Sequence, residues 1–212
     1  MVYKRHPSGW DGYATLLVTL GGNGALGGWL ADNQAINQSV PLSSAGRCAF
    51  YVPLYGGAGS AWGWLQLDTN NPAAHVEGSV SWVRPAMAGT KYYPLGYTNG
   101  VRASGSLFFA PTDANTRVIA LTNGIVFFDG GNLSGPFTNR VTLTSANQII
   151  STNVNKLSMS ITLSNGIFSG SVKVPGVART NNFKGALLQD VNAGHGYFLG
   201  TNQSGTVFFG EP

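Results

Sequence analysis

A chain of 212 residues that is 43% hydrophobic and 11% aromatic is too apolar to be disordered, and its 30 glycines follow no Gly-X-Y period, which excludes collagen. Charged residues make up only 9%, against roughly a quarter in an average soluble domain, so Asn, Gln, Ser and Thr must supply most of the wetted surface. The net charge of +4 comes from 12 scattered basic residues, of which only Lys4 and Arg5 are adjacent; no basic stripe exists to track a phosphate backbone, and nucleic acid is not an expected partner.

At the N-terminus, residues 1–9 place no apolar core after the basic pair, so no signal peptide is read in this chain. No apolar run reaches the ~20 residues of a membrane helix, and no membrane span is expected. Residues 14–20 follow a strand pattern into Gly21-Gly22-Asn23-Gly24, where Asn-Gly predicts a hairpin turn because both residues tolerate positive φ. Cys48 is the single cysteine, which rules out an intrachain disulfide and an all-cysteine metal site. Its strand-like setting, Ala49-Phe50-Tyr51-Val52, predicts a buried, inert thiol. Trp62 and Trp64 stand two apart and share one strand face. Further on, Val76, Gly78, Val80 and Trp82 share a face, with His75, Glu77, Ser79 and Ser81 on the opposite one.

Residues 84–115 are richer in Pro, Gly, Ala and Ser and less regular, which places a boundary near Gly105: a first β unit over 1–105 and a second, related one over 106–212. Within the second, residues 140–144, 157–164 and 205–209 alternate cleanly. Asn99-Gly100, Asn123-Gly124, Asn165-Gly166 and Ser204-Gly205 read as turn signals. No stretch holds a 3.6-residue apolar period over three turns. The segment Val18-Thr19-Leu20-Gly21-Gly22-Asn23-Gly24-Ala25-Leu26-Gly27-Gly28 also parallels Ile161-Thr162-Leu163-Ser164-Asn165-Gly166-Ile167-Phe168-Ser169-Gly170. The expectation is an all-β, antiparallel protein with essentially no helix, built as two pseudo-repeated barrel- or sandwich-like halves or as one larger barrel.

Several phrases together resemble one family: Leu54-Tyr55-Gly56-Gly57-Ala58-Gly59-Ser60, Ser81-Trp82-Val83-Arg84-Pro85, Tyr92-Tyr93-Pro94-Leu95-Gly96-Tyr97, Gly130-Gly131-Asn132-Leu133 and Gly196-Tyr197-Phe198-Leu199-Gly200-Thr201-Asn202-Gln203-Ser204-Gly205. As a set they look like the C-terminal β-rich module of very large, repeat-built bacterial surface or secreted proteins, and the resemblance covers nearly the whole chain. It implies an extracellular or cell-surface location in a parent protein, with neighbouring β repeats as partners. It transfers no catalytic residue.

Candidate ligand-binding residues are Trp62, Trp64, Trp82, Tyr92 and Tyr93, since flat aromatic faces beside Asn and Gln suit sugar rings. The competing expectation is that these rings fill the core. For hydrolysis of glycans or their esters, two carboxyls about 5 to 10 Å apart would be needed. Among eight acids, Glu77 and Asp129 are the candidates, with His75 beside Glu77 and with His195, in Gly194-His195-Gly196, on a loop tip or pocket wall. Asp129 follows an apolar run, so partial burial is expected; Asp32, Asp68 and Asp113 read as turn acids. The three histidines lack metal-ligand spacing, no Gly-x-Ser-x-Gly elbow occurs, and the glycine clusters precede no helix, so no metal and no cofactor is expected. The leading expectation is a non-catalytic structural or adhesive module with polysaccharide as a candidate ligand. A glycan-directed hydrolase is the alternative. A hydrophobic-ligand carrier is a third possibility, which a filled barrel would eliminate.

Overall fold

The computed structural model describes residues 11–68, 75–151 and 155–212. Among them the chain forms fifteen strands and two three-residue 3-10 turns, with every strand pair antiparallel. It is an all-β protein, as the alternation predicts. Two compact units separate, Ala14–Leu107 and Phe108–Pro212, and the described residues before Ala14 group with the second.

In the first unit β1 (Tyr13–Val18), β2 (Asn23–Trp29) and β3 (Ala35–Pro41) make a three-stranded sheet. A four-stranded sheet follows from β4 (Arg47–Leu54), β5 (Gly59–Leu67), β6 (His75–Arg84) and β7 (Tyr97–Ser106). Each strand lies beside its predecessor in sequence within its sheet, the arrangement that short hairpin connections dictate. Strand β4 shows the governing period. Cys48, Phe50, Val52 and Leu54 are buried, while Arg47, Ala49, Tyr51 and Pro53 between them are exposed. The Gln38 side chain on β3 accepts a hydrogen bond from the Tyr51 backbone N–H at 2.9 Å.

The second unit is one eight-stranded sheet. Its members are β8 (Asn123–Gly130), β9 (Phe137–Leu143), β10 (Ile149–Ser151), β11 (Ser158–Thr162), β12 (Ile167–Lys173), β13 (Thr180–Leu188), β14 (Ala193–Leu199) and β15 (Ser204–Gly210). The first and last of these pair, Gly205 opposite Gly130 through Gly210 opposite Ile125. That pairing curls the meander into a nearly closed barrel, with β10 and β11 as the two ends of the sheet. A barrel of eight strands is just wide enough inside to be filled by side chains or to hold one small ligand, and here Phe128, Phe168, Phe183, Phe198 and Phe209 fill it with Val126, Val172 and Val207. The filled interior eliminates the carrier expectation.

Glycine makes that filling possible. Across neighbouring strands Phe168 faces Gly185, Phe183 faces Gly170, Phe198 faces Gly205 and Phe209 faces Gly194. A methyl group at Gly185 would collide with the Phe168 ring, and one at Gly205 with the Phe198 ring. Each ring lies over the strand position where no side chain competes for space.

The Asn-Gly turn signals were mostly displaced. Only Asn165-Gly166 closes a turn as expected, with Gly166 at φ 71° and its N–H donating to the Thr162 carbonyl at 2.9 Å. In the first unit the bend comes one step earlier, at Gly22 (φ 75°), and Asn23-Gly24 opens β2. Asn99-Gly100 lies inside β7, while Asn123-Gly124 and Ser204-Gly205 open β8 and β15. The reason at Gly124 is space: a Cβ there would stand 2.7 Å from the Gly210 carbonyl oxygen and 2.9 Å from Leu121. Both self-similar segments fall on hairpins, β1–β2 and β11–β12.

Candidate functional site

Because side chains alternate along a strand, the register of the four-stranded sheet decides what its outer face displays. Tyr51, Trp62, Ser81 and Gly100 form one row across β4 to β7; Ala49, Trp64, Ser79 and Arg102 form the next; Arg47, Gln66, Glu77 and Ser104 form the third. The inner positions of β5 are Ala61, Gly63 and Leu65, and a side chain at Gly63 would run into the Ser79 carbonyl of β6. The alternate positions, Trp62 and Trp64, are the exposed ones. Tyr51 is 58% exposed, Trp62 51% and Trp64 58%. Two residues along a strand separate the indole-bearing Cα atoms by roughly 6.5 Å, and Tyr51 is anchored one strand spacing of about 4.8 Å away. Small neighbours, Ala49, Ser79, Ser81 and Gly100, let the rings stand above the sheet.

Beside the rings lies an open depression of about 580 Å³ lined by Arg47, Trp64, Gln66, Glu77, Ser79 and Arg102. The Arg47 guanidinium carbon is 5.4 Å from the Trp64 ring centroid, within cation–π range. Arg102 Nη2 donates to Glu77 Oε1 at 2.8 Å, and both side chains remain about three-fifths exposed (63% and 60%). An ion pair so wetted contributes at most about 1 kcal/mol. His75 occupies an outward position at the start of β6, opposite Ser106, and its carbonyl accepts from the Asp68 N–H at 2.9 Å.

The other predicted aromatics are elsewhere. Trp82 is 1% exposed on the inner face of β6, with its ring edge-on to Tyr97 at 4.9 Å. It cannot stack on a ligand at the outer face. Tyr92 and Tyr93 lie in the segment between β6 and β7; the Tyr92 carbonyl accepts from Arg84 Nη2 at 2.9 Å, and the Tyr93 ring packs edge-on against Tyr97 at 5.1 Å.

Inside the first unit sits a polar cluster that sequence reasoning missed. Asp32 Oδ1 accepts from the Gln34 backbone N–H at 3.1 Å, the expected turn contact. Its other oxygen accepts from Arg84 Nη1 at 2.6 Å and from the Tyr55 hydroxyl at 2.7 Å. Trp82 Nε1 donates to that hydroxyl at 2.9 Å, and the Arg84 guanidinium lies over the Tyr55 ring at 4.7 Å. The Asp32 side chain is wholly buried and that of Arg84 is 9% exposed. Burial, reinforced by the hydrogen bond to Asp32, pushes the Tyr55 phenol up to about 12. Burial also raises the Tyr97 phenol far above its ordinary value. Asp32 and Arg84 are 52 positions apart, and no local pattern announces that they meet.

Of the proposed acids, Glu77 and Asp129 belong to different units. Asp129 is exposed, because Phe128 takes the inner position of β8, and its Oδ1 accepts from the adjoining Gly130 N–H at 2.7 Å. The expected burial is thus corrected. His195 is no loop tip: it lies within β14, paired across to Phe208, with ring centroids 5.4 Å apart. Cys48 is buried, as expected, and burial raises its thiol pKa. No three His, Cys, Asp or Glu side chains gather into a metal-sized group among the described residues. No protein-family model, curated protein or solved structure matches the chain.

Proposed function

We propose that this protein is a non-catalytic extracellular β module that binds polysaccharide through the outer face of β4 to β7. The observation that carries the proposal is the pair Trp62 and Trp64, both more than half exposed beside Tyr51 on the outer face of the sheet. Burying a large apolar side chain is worth about 1.5–3 kcal/mol, so a sheet that leaves three aromatic rings in water forgoes stability that a partner covering them would supply. Sugar rings suit such a surface: their C–H faces stack on indoles while their hydroxyls bond to groups such as Gln66 and Ser79 at the margin. The low charge content of the chain, 9%, and the resemblance to modules of bacterial surface proteins support the extracellular setting. The paired hairpins at β1–β2 and β11–β12 support an origin by internal duplication.

Depletion of the purified protein by insoluble cellulose, chitin and xylan, with assay of soluble sugar, tests this reading. Depletion without sugar release is expected, with loss in Trp62→Ala and Trp64→Ala variants whose far-ultraviolet circular dichroism is unchanged. Stacking worth about 1 kcal/mol per ring corresponds to a roughly fivefold weakening for each variant. Released sugar would overturn the non-catalytic assignment.

A further inference from the structure

We propose that the depression beside Trp64 selects acidic polysaccharides, with Arg47 receiving the carboxylate of a uronic-acid-type sugar; the inference rests on the polysaccharide reading above and names its ligand class. Three charged side chains line the depression, Arg47, Glu77 and Arg102. Two of them already satisfy each other, Arg102 donating to Glu77 at 2.8 Å. Arg47 has no carboxylate within 4 Å among the described residues. It is held instead over an aromatic ring, 5.4 Å from the Trp64 centroid. At that distance from the ring the guanidinium keeps its N–H groups unclaimed by any carboxylate among the described residues, and a guanidinium takes a carboxylate by two parallel hydrogen bonds.

The register separates attraction from repulsion. Arg47 and Glu77 lie in one row with Gln66 between them, so their strands are two spacings, or roughly 9.6 Å, apart. That is about one Debye length at physiological salt. Glu77 is also neutralised by Arg102 at 2.8 Å, so a sugar carboxylate docked on Arg47 meets its cation with little opposing charge. A neutral sugar would leave the uncompensated Arg47 charge unused.

Binding is measured by depletion and by quenching of tryptophan emission, using polygalacturonate, alginate, fully methyl-esterified polygalacturonate and cellulose as probes. The uronates should bind at least tenfold more tightly than the methyl ester, whose backbone is the same but whose charge is gone. Arg47→Gln should abolish that preference, bringing uronate and methyl-ester binding to within twofold of each other. Arg140→Gln, an exposed arginine of the second unit, should change nothing, which separates a specific contact from general attraction by the net charge of +4. Equal binding of the acid and its methyl ester, or an undiminished preference in Arg47→Gln, overturns the inference and leaves polysaccharide binding standing. Failure to bind any probe overturns both.

Discussion

In the second unit the space inside the strands is hydrocarbon, phenylalanine rings resting on glycine positions of the neighbouring strand. In the first unit the inner face of β6 ends in Trp82 and Arg84, and Arg84 meets Asp32 and Tyr55 in a buried ion pair. The two interiors depend on different things. A ring over glycine is held by shape, so its enemy is added volume. A buried guanidinium and carboxylate are held by mutual compensation, so their enemy is the loss of one partner.

The largest break in this comparison is expected from Asp32→Ala, which leaves Arg84 buried with its charge uncompensated and should cost about 3–5 kcal/mol. Four of the five tryptophans lie within Ala14–Leu107 and none within Phe108–Pro212. Denaturant unfolding followed by tryptophan emission therefore reports chiefly on the first unit, and circular dichroism on both. The double replacement Asp32→Leu with Arg84→Met should recover part of the loss, because both charges go together while the Tyr55 hydroxyl still loses its acceptor on Asp32. A single variant as stable as the parent would show that the pair does not contribute as described.

Next in size, Gly205→Ala should cost about 1–3 kcal/mol by forcing the Phe198 ring aside. The loss should appear in the circular-dichroism transition and leave the tryptophan transition in place. A shift in tryptophan emission alone would contradict the assignment of this contact to the second unit.

A third effect sharpens the contrast with alkali. The Tyr55 phenol titrates near 12 in the folded protein against an ordinary 10. Between those values the unfolded chain has lost the proton that the folded one keeps, so stability is full below pH 10 and falls as pH rises toward 12. Tyr55→Phe should make that part of the stability–pH profile shallower for the first unit, the remaining slope coming from Tyr97, read by denaturant midpoints and by tyrosinate absorbance. An unchanged slope would remove Tyr55 from the cause.

The smallest stability effect belongs to the outer face. Trp64→Ala should change the unfolding free energy by less than about 0.5 kcal/mol, as surface replacements do, while reducing polysaccharide binding. A large destabilisation would mean that the ring is structural.

Strand periodicity made much of this legible. The division of β6 into Val80 and Trp82 inside with His75 and Glu77 outside follows from counting alternate residues, and so does the shared face of Trp62 and Trp64. Which face pointed outward was not legible, because hydrophobicity alone would send two indoles inside. Only the assembled sheet shows that Ala61 and Leu65 take the buried positions of β5. The Asp32–Arg84 pair was illegible for a related reason: its partners meet only once β2, β3 and β6 are assembled. The Asn-Gly signals misled where glycine served spacing, as at Gly124, rather than turning.

The Phe–Gly pairs of the barrel also have a hereditary consequence. Replacing the glycine alone creates a clash, and trimming the phenylalanine alone opens a void, so each position constrains its partner across the strand. Among descendants of this chain, Phe168 with Gly185 and Phe198 with Gly205 should change together or not at all, leaving correlated columns that reveal the barrel's register to anyone comparing the sequences.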